Sequence, residues 1–131
     1  MSAGRRPVLA VTVGDPAGIG PDICLSLRAR EFSADIVLLG DVDVLAARAR
    51  VLGLDPPEAG YPASSATPGR MRVLHVPVVH PVVPGRLDPR NADHVLALLD
   101  RALSGCRSGE FAGMVTAPVN KAVLNDAGHG F

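Results

Sequence analysis

Two short stretches hold residue types suited to ligand chemistry. The first is TVGDPAGIGPDI, residues 12–23, with Gly14, Gly18 and Gly20 in one turn. Glycines let the backbone take positive φ and remove Cβ atoms where a ligand must come close. A helix starting just behind them presents free N–H donors and a partial positive charge, so the turn reads as an anion or cofactor-phosphate site. The spacing is not GxGxxG and there is no Gly-Lys-Ser/Thr, which excludes the two common nucleotide fingerprints. Asp15 would repel a bare phosphate, so it reads as a cap for backbone N–H groups or a contact for a hydroxyl. The competing reading is a tight strand-to-helix connection with no ligand.

The second stretch is TAPVNK, residues 116–121. Thr116 ends a strand, Pro118 shapes a turn, and Asn120 and Lys121 open a helix. The helix dipole disfavours a lysine in the first turn by about 0.3–1 kcal/mol. Lys121 is better explained if an anion shares its site, with Thr116 and Asn120 as neighbours; a solvated surface lysine is the alternative. Asp41, at the end of the second strand, could hold a ribose, but a helix cap is the stronger reading because Asp43 follows. His75, His80, His94 and His129 are scattered without HExxH or CxxC spacing, so no metal ligand and no catalytic residue is assigned. Single histidines such as His80, His94 and His129 read as surface or hydrogen-bonded structural residues, and Arg86 and Arg90 as surface cations. Cys24 and Cys106 read as reduced thiols in apolar helices.

The elements that must position these stretches follow from periodicity. VLAVTV (8–13) and DIVLLG (35–40) are apolar runs of strands buried on both faces. MRVLHVPVV (71–79) is a third strand, weakened at its end by Pro77, and FAGMVT (111–116) a fourth. A helix is predicted from the glycine turn to about Arg30, with Ile19, Ile23 and Leu27 on one face. A second carries Val44, Leu45, Arg48 and Leu52 and ends at Gly53. A third, behind an Asn91 N-cap, turns Val95, Leu98, Leu99 and Ala102 inward, and NKAVLNDAG is a fourth, closed by Gly128. Residues 54–70 and 80–91 are long, proline-punctuated loops. Alternation β-α-β-α-β-α-β-α predicts an α/β fold, a mainly parallel three-layer sheet. Ligands of such sheets bind off the carboxyl ends of the strands, where both chemical stretches emerge.

Composition narrows the partners. Thirteen Lys+Arg balance thirteen Asp+Glu, and aromatics are 3% of the chain, so nucleic acid is not a favoured partner. The apolar N-terminal stretch is too short for a signal core, and nothing approaches the ~20 apolar residues of a membrane span. A cytoplasmic single domain is expected.

Taken in order, GDPAGIGPDI, GRLDPRNADHV and GEFAGMVTAPVNKAVLNDAG resemble the 4-hydroxythreonine-4-phosphate dehydrogenase family of pyridoxal phosphate (vitamin B6) biosynthesis. The resemblance implies an isocitrate/isopropylmalate dehydrogenase-like fold, incomplete here. It implies oxidation of a secondary alcohol by hydride transfer to NAD or NADP, then decarboxylation to 3-amino-2-oxopropyl phosphate, with a divalent metal as Lewis acid. It implies a phosphorylated hydroxy-acid substrate and a homodimer in the full-length form. Substrate binding is then expected at Lys121, Asn120 and Thr116, and cofactor binding at Gly14, Asp15, Gly18 and Gly20. Family members continue past the position of AGHGF with a Gly-His-Thr-Glu segment and the metal-binding histidines. Residues 1–131 are therefore expected to be the N-terminal part, ending before the metal-binding region and incomplete for activity alone. The alternatives are a D-threonate or D-erythronate 4-phosphate dehydrogenase paralogue and a catalytically inactive N-terminal fragment.

Overall fold

A computed structural model describes residues 6–63, 67 and 69–128. The apolar runs form four strands: β1 Val8–Thr12, β2 Asp35–Gly40, β3 Arg72–His75 and β4 Gly113–Thr116. They pair in parallel in the order β3-β2-β1-β4. Ala10, Val37, Leu38 and Leu39 are fully buried, as unbroken apolar strands require when helices cover both faces.

The helices are α1 Gly20–Leu25, α2 Val42–Leu52, α3 Ala92–Ser108 and α4 Lys121–Asp126. The chain steps from β1 to β2 to β3 in one direction, then returns to place β4 on the far side of β1. Right-handed crossovers therefore put α1 and α2 on one face and α3 on the other. Accordingly α1 packs on α2, while α3 packs across β1, β2 and β4. The three layers expected from the alternation are present.

Local chemistry accounts for the boundaries that differ from expectation. The first helix ends at Leu25, not near Arg30. The Ser26 hydroxyl donates to the Asp22 carbonyl at 2.8 Å, Arg28 has non-helical φ −95° and ψ 84°, and a separate 3-10 turn spans Ala29–Glu31. The expected inward face is also rotated. Ile19 and Ile23 are 64% and 49% exposed, whereas Cys24 and Leu25 are buried. Gly20 causes this: a Cβ there would meet the Val13 carbonyl oxygen at 1.9 Å. Its own face is thus pressed against Val13, just past the end of β1, and the residue four later, Cys24, faces inward with it. Burial pushes the Cys24 thiol up to about 11, so it is an unreactive core group.

The third strand stops at His75, short of the expected residue 79. His75 pairs with Gly40, the last residue of β2, and Pro77 has no N–H for a ladder. The fourth begins at Gly113, because the Phe111 N–H turns back to the Gly105 carbonyl at 3.1 Å. In α3, Val95, Leu98 and Ala102 are buried as predicted, Leu99 is only partly covered, and His94 joins the buried set. At the amino end of the strands, Tyr61 donates to Glu110 at 2.7 Å and Arg101 grips the same carboxylate at 2.7 and 2.9 Å. This network ties the 54–70 loop to α3, remote from the two chemical stretches.

Candidate functional site

Strand order reverses at β1: its successor lies on one side and β4 on the other. The gap above the carboxyl ends of β1 and β4 is a topological switch point, where ligands of open α/β sheets bind. The residues after β1 are the glycine turn, and those after β4 are Ala117–Asn120. The two stretches singled out by their chemistry are brought together here.

They touch through backbone. Gly14 has φ +74°, and a Cβ on it would lie 2.3 Å from the Pro118 carbonyl oxygen. The Ala117 N–H donates to the Thr12 carbonyl at 2.9 Å. A Cβ on Gly20 would also sit 3.1 Å from that of Ala117. Of the three turn glycines that permit positive φ, only Gly14 has it. Gly18 needs neither an unusual φ nor extra space: its Cβ would make ordinary contacts, the nearest at 3.5 Å to Asp15. The absent Cβ atoms of Gly14 and Gly20 admit the protein's own backbone. Ala17–Ile19, with Pro16 and Pro21 beside them, line a groove of about 360 Å³ opposite Pro84, Gly85 and Leu87, and no residue of 116–121 lines it. The Gly85 N–H donates to the Ala17 carbonyl at 2.8 Å across that groove.

Asp15 is buried, and its Oδ1 accepts from the Ala17 N–H at 2.9 Å, the capping role anticipated for it. Asp22, in the first turn of α1, is held by Arg48 of α2 at 2.6 and 2.9 Å. The Arg48 hydrogen bond keeps the Asp22 carboxyl below its ordinary value despite partial burial.

On the other stretch, Thr116, Asn120 and Lys121 are exposed. Asn120 is the α4 N-cap, its Oδ1 accepting from the Val123 N–H at 3.1 Å. That leaves its amide N–H₂ free to donate.

Asp41 is spent as a cap. Its Oδ1 accepts from Asp43 and Val44 N–H, and its Oδ2 from Val78 N–H at 2.9 Å. Burial pushes its carboxyl up, but these donors and nearby His75 outweigh it and hold the group below its ordinary range. Both oxygens thus serve backbone N–H groups, in keeping with the helix-cap reading. Asn91 stands at the α3 N-cap position as predicted, but its side chain does not cap the helix. It accepts from Val79 and His80 N–H and donates to the His80 carbonyl. Sequence reasoning missed this job, although a signal existed. VPVVHPVVP cannot satisfy its backbone by strand pairing when prolines interrupt it, so side chains must serve those groups.

Arg90 pairs with Asp88 at 2.8 Å and lowers that carboxyl to about 2, while Arg86 is exposed. His80 stands 3.9 Å from Asp88. His129 lies outside the described residues. Among the described residues no group of three His, Cys, Asp or Glu could hold a metal ion, and no helix is long and apolar enough to cross a membrane.

Residues 32–131 match the family described as "Pyridoxal phosphate biosynthetic protein PdxA". The chain is 53% identical over 125 residues to a 4-hydroxythreonine-4-phosphate dehydrogenase of Aromatoleum aromaticum, covering 95% of this chain and 38% of that protein. It is 54% identical over 125 residues to the enzyme of that name from Chromobacterium violaceum, with the same coverage of 95% and 38%. Among solved structures, the 4-hydroxythreonine-4-phosphate dehydrogenase of Klebsiella pneumoniae matches with a TM-score of 0.81 at 29% identity, over 95% of this chain and 41% of that one. The chain thus spans well under half the length of the relatives it matches.

Proposed function

The chain belongs to the PdxA family of pyridoxal phosphate biosynthetic proteins, and from that premise we propose that it builds one wall of the cleft of a 4-hydroxythreonine-4-phosphate dehydrogenase. The observation that carries this is the junction of the glycine turn with the 117–120 loop at the switch point, where Gly14 admits the Pro118 carbonyl. The reaction is oxidation of the substrate's secondary alcohol with NAD or NADP, followed by loss of carbon dioxide to give 3-amino-2-oxopropyl phosphate.

The roles assigned to this chain are binding and orientation. Lys121 supplies an exposed cation for the substrate's phosphate or carboxylate, and Thr116 and the free Asn120 amide supply neutral hydrogen bonds. Ala17–Ile19, with Gly18 at its centre, is the face offered to the cofactor. Gly14, Gly20 and Asp15 shape that face from behind. A nicotinamide cofactor held against Ala17–Ile19 would supply the hydride acceptor, and the absence of a side chain on Gly18 fits its close approach. The described residues do not fit a divalent metal, so no step is routed through one.

The test is a chimera in which this sequence replaces the matching segment of the Aromatoleum aromaticum enzyme. It should reduce NAD or NADP in the presence of 4-hydroxythreonine 4-phosphate. In that chimera Lys121→Ala should lower kcat/KM at least ~tenfold, about 1.4 kcal/mol. Unchanged kinetics in the variant would remove Lys121 from the site. A folded chimera that oxidises only D-threonate or D-erythronate 4-phosphate would replace the substrate.

A further inference from the structure

The loop that runs over the carboxyl ends of β2 and β3 is held in an unusual way. In residues 77–80, five backbone groups are bound by three side chains from outside the loop. The Pro77 carbonyl meets His94 Nδ1 at 2.9 Å, and Val78 N–H donates to Asp41 Oδ2 at 2.9 Å. Val79 and His80 N–H donate to Asn91 Oδ1 at 3.0 and 2.8 Å, and the His80 carbonyl accepts from Asn91 Nδ2 at 3.0 Å. All three side chains are buried, His94 to 1% exposure. Just beyond the gripped residues, Pro84 and Gly85 form the wall opposite the glycine turn.

His94 is the member whose state can change near neutrality. A carbonyl only accepts, so Nδ1 carries a hydrogen, and in the neutral ring Nε2 is a bare acceptor. That Nε2 is buried and has no hydrogen-bond partner among the described residues, as is Thr12 Oγ1. The charged and titratable groups facing the ring are Asp41 from the α2 cap, Asp15 from the glycine turn and His75 from the end of β3. Both carboxylates already accept backbone N–H groups.

We propose that Asp41, Asn91 and His94 are positioning residues forming a clasp on residues 77–80, and that uptake of a second proton by His94 opens it. A proton on Nε2 puts an imidazolium with an unmet donor into a dry interior, and exposing the ring relieves it. Burial holds the His94 ring below its ordinary value of 6.5, against the pull of Asp41 and Asp15. The sign follows from that depression. The closed clasp has its full stability above the ordinary histidine value and loses it as pH falls from there toward the depressed one. Asp41, itself held below the ordinary carboxylate range, stays ionised through this window. The clasp stands whether or not the proposed substrate is correct.

Amide hydrogen exchange on the 131-residue chain tests this. Protection of Val78, Val79 and His80, taken relative to Val37 and Leu38 in β2, should fall at least ~tenfold between about pH 7 and about pH 5. His94→Asn keeps a donor near the Nδ1 position but cannot titrate, so its relative protection should stay flat over that range. A flat wild-type profile, or an equal fall in His94→Asn, overturns the proposal. Imidazole nitrogen shifts of His94 in the unmutated chain give a test that needs no variant to fold. They should report a neutral ring with hydrogen on Nδ1 and a titration below the ordinary value. Hydrogen on Nε2 alone, or titration at or above that value, also overturns it.

Discussion

Gly14 and Gly18 stand in the same turn yet have opposite tolerances. Gly14 combines φ +74° with a backbone oxygen where its Cβ would be; Gly18 has neither constraint. Gly53, at φ +70° with open space around it, separates the conformational part from the steric part. Gly53→Ala should cost about 1–2 kcal/mol for the left-handed conformation alone. Gly14→Ala should exceed it, at ~3 kcal/mol or more, because the loop carrying Pro118 must also move. Gly18→Ala should stay within about 0.5 kcal/mol of the parent. Urea midpoints of the three variants check the ranking; a Gly14 variant no worse than the Gly53 variant would mean that Pro118 does not press on the turn. That this turn needed glycine was legible from its composition. Which glycine needed it was not, because the backbone oxygen that fills the Cβ position of Gly14 comes from a loop about a hundred positions later in the chain.

At the scale of elements, three helices begin with a residue from the capping set, and only two of those side chains cap. Asp41 and Asn120 accept from N–H groups in their own first turns, a local pattern readable from sequence. Asn91 serves groups 11 and 12 residues earlier, which no local window contains. The same limit explains α1: its periodicity continued past Leu25, but Gly20 pressed against Val13 decides which face is buried. Asn120→Ala removes one cap and should cost about 1 kcal/mol. Asp41→Ala removes a cap and also leaves the Val78 N–H unserved, so it should cost roughly 2–4 kcal/mol. Because the Asp41 carboxyl is held below its unfolded value of 3.8, its contribution is present above that pH and is lost as pH falls through the folded value. The difference between parent and Asp41→Ala in chemical denaturation should therefore shrink in acid, while the Asn120→Ala difference should not. A gap that persists at the acid limit would show that the carboxylate charge is not what holds the loop.

For the whole molecule, parallel order and layering follow from alternation and handedness alone, which is why the α/β architecture was legible without coordinates. The exposure of the last strand was not: GMVT reads like a buried strand, yet Val115 is 55% exposed. β4 pairs with β1 and with no other strand among the described residues, so its second edge presents unpaired backbone groups. Beside that edge lies an apolar groove of about 330 Å³ floored by Leu9, Val11 and Ile36 and rimmed by Ile23, Phe32 and Val115. An edge strand next to an apolar face is a template for pairing with a second copy of the same chain, and a lysine on such an edge blocks it. The 131-residue chain should therefore associate as its concentration rises toward ~100 µM, and Val115→Lys should weaken that association at least ~tenfold without altering the fold. Sedimentation velocity over a concentration series, with circular dichroism to confirm the fold, decides it. A parent chain that stays monomeric throughout would show that the β4 edge and its groove do not drive contact. Association unchanged by Val115→Lys would place the contact elsewhere, with the β3 edge at the opposite side of the sheet as the next strand to test.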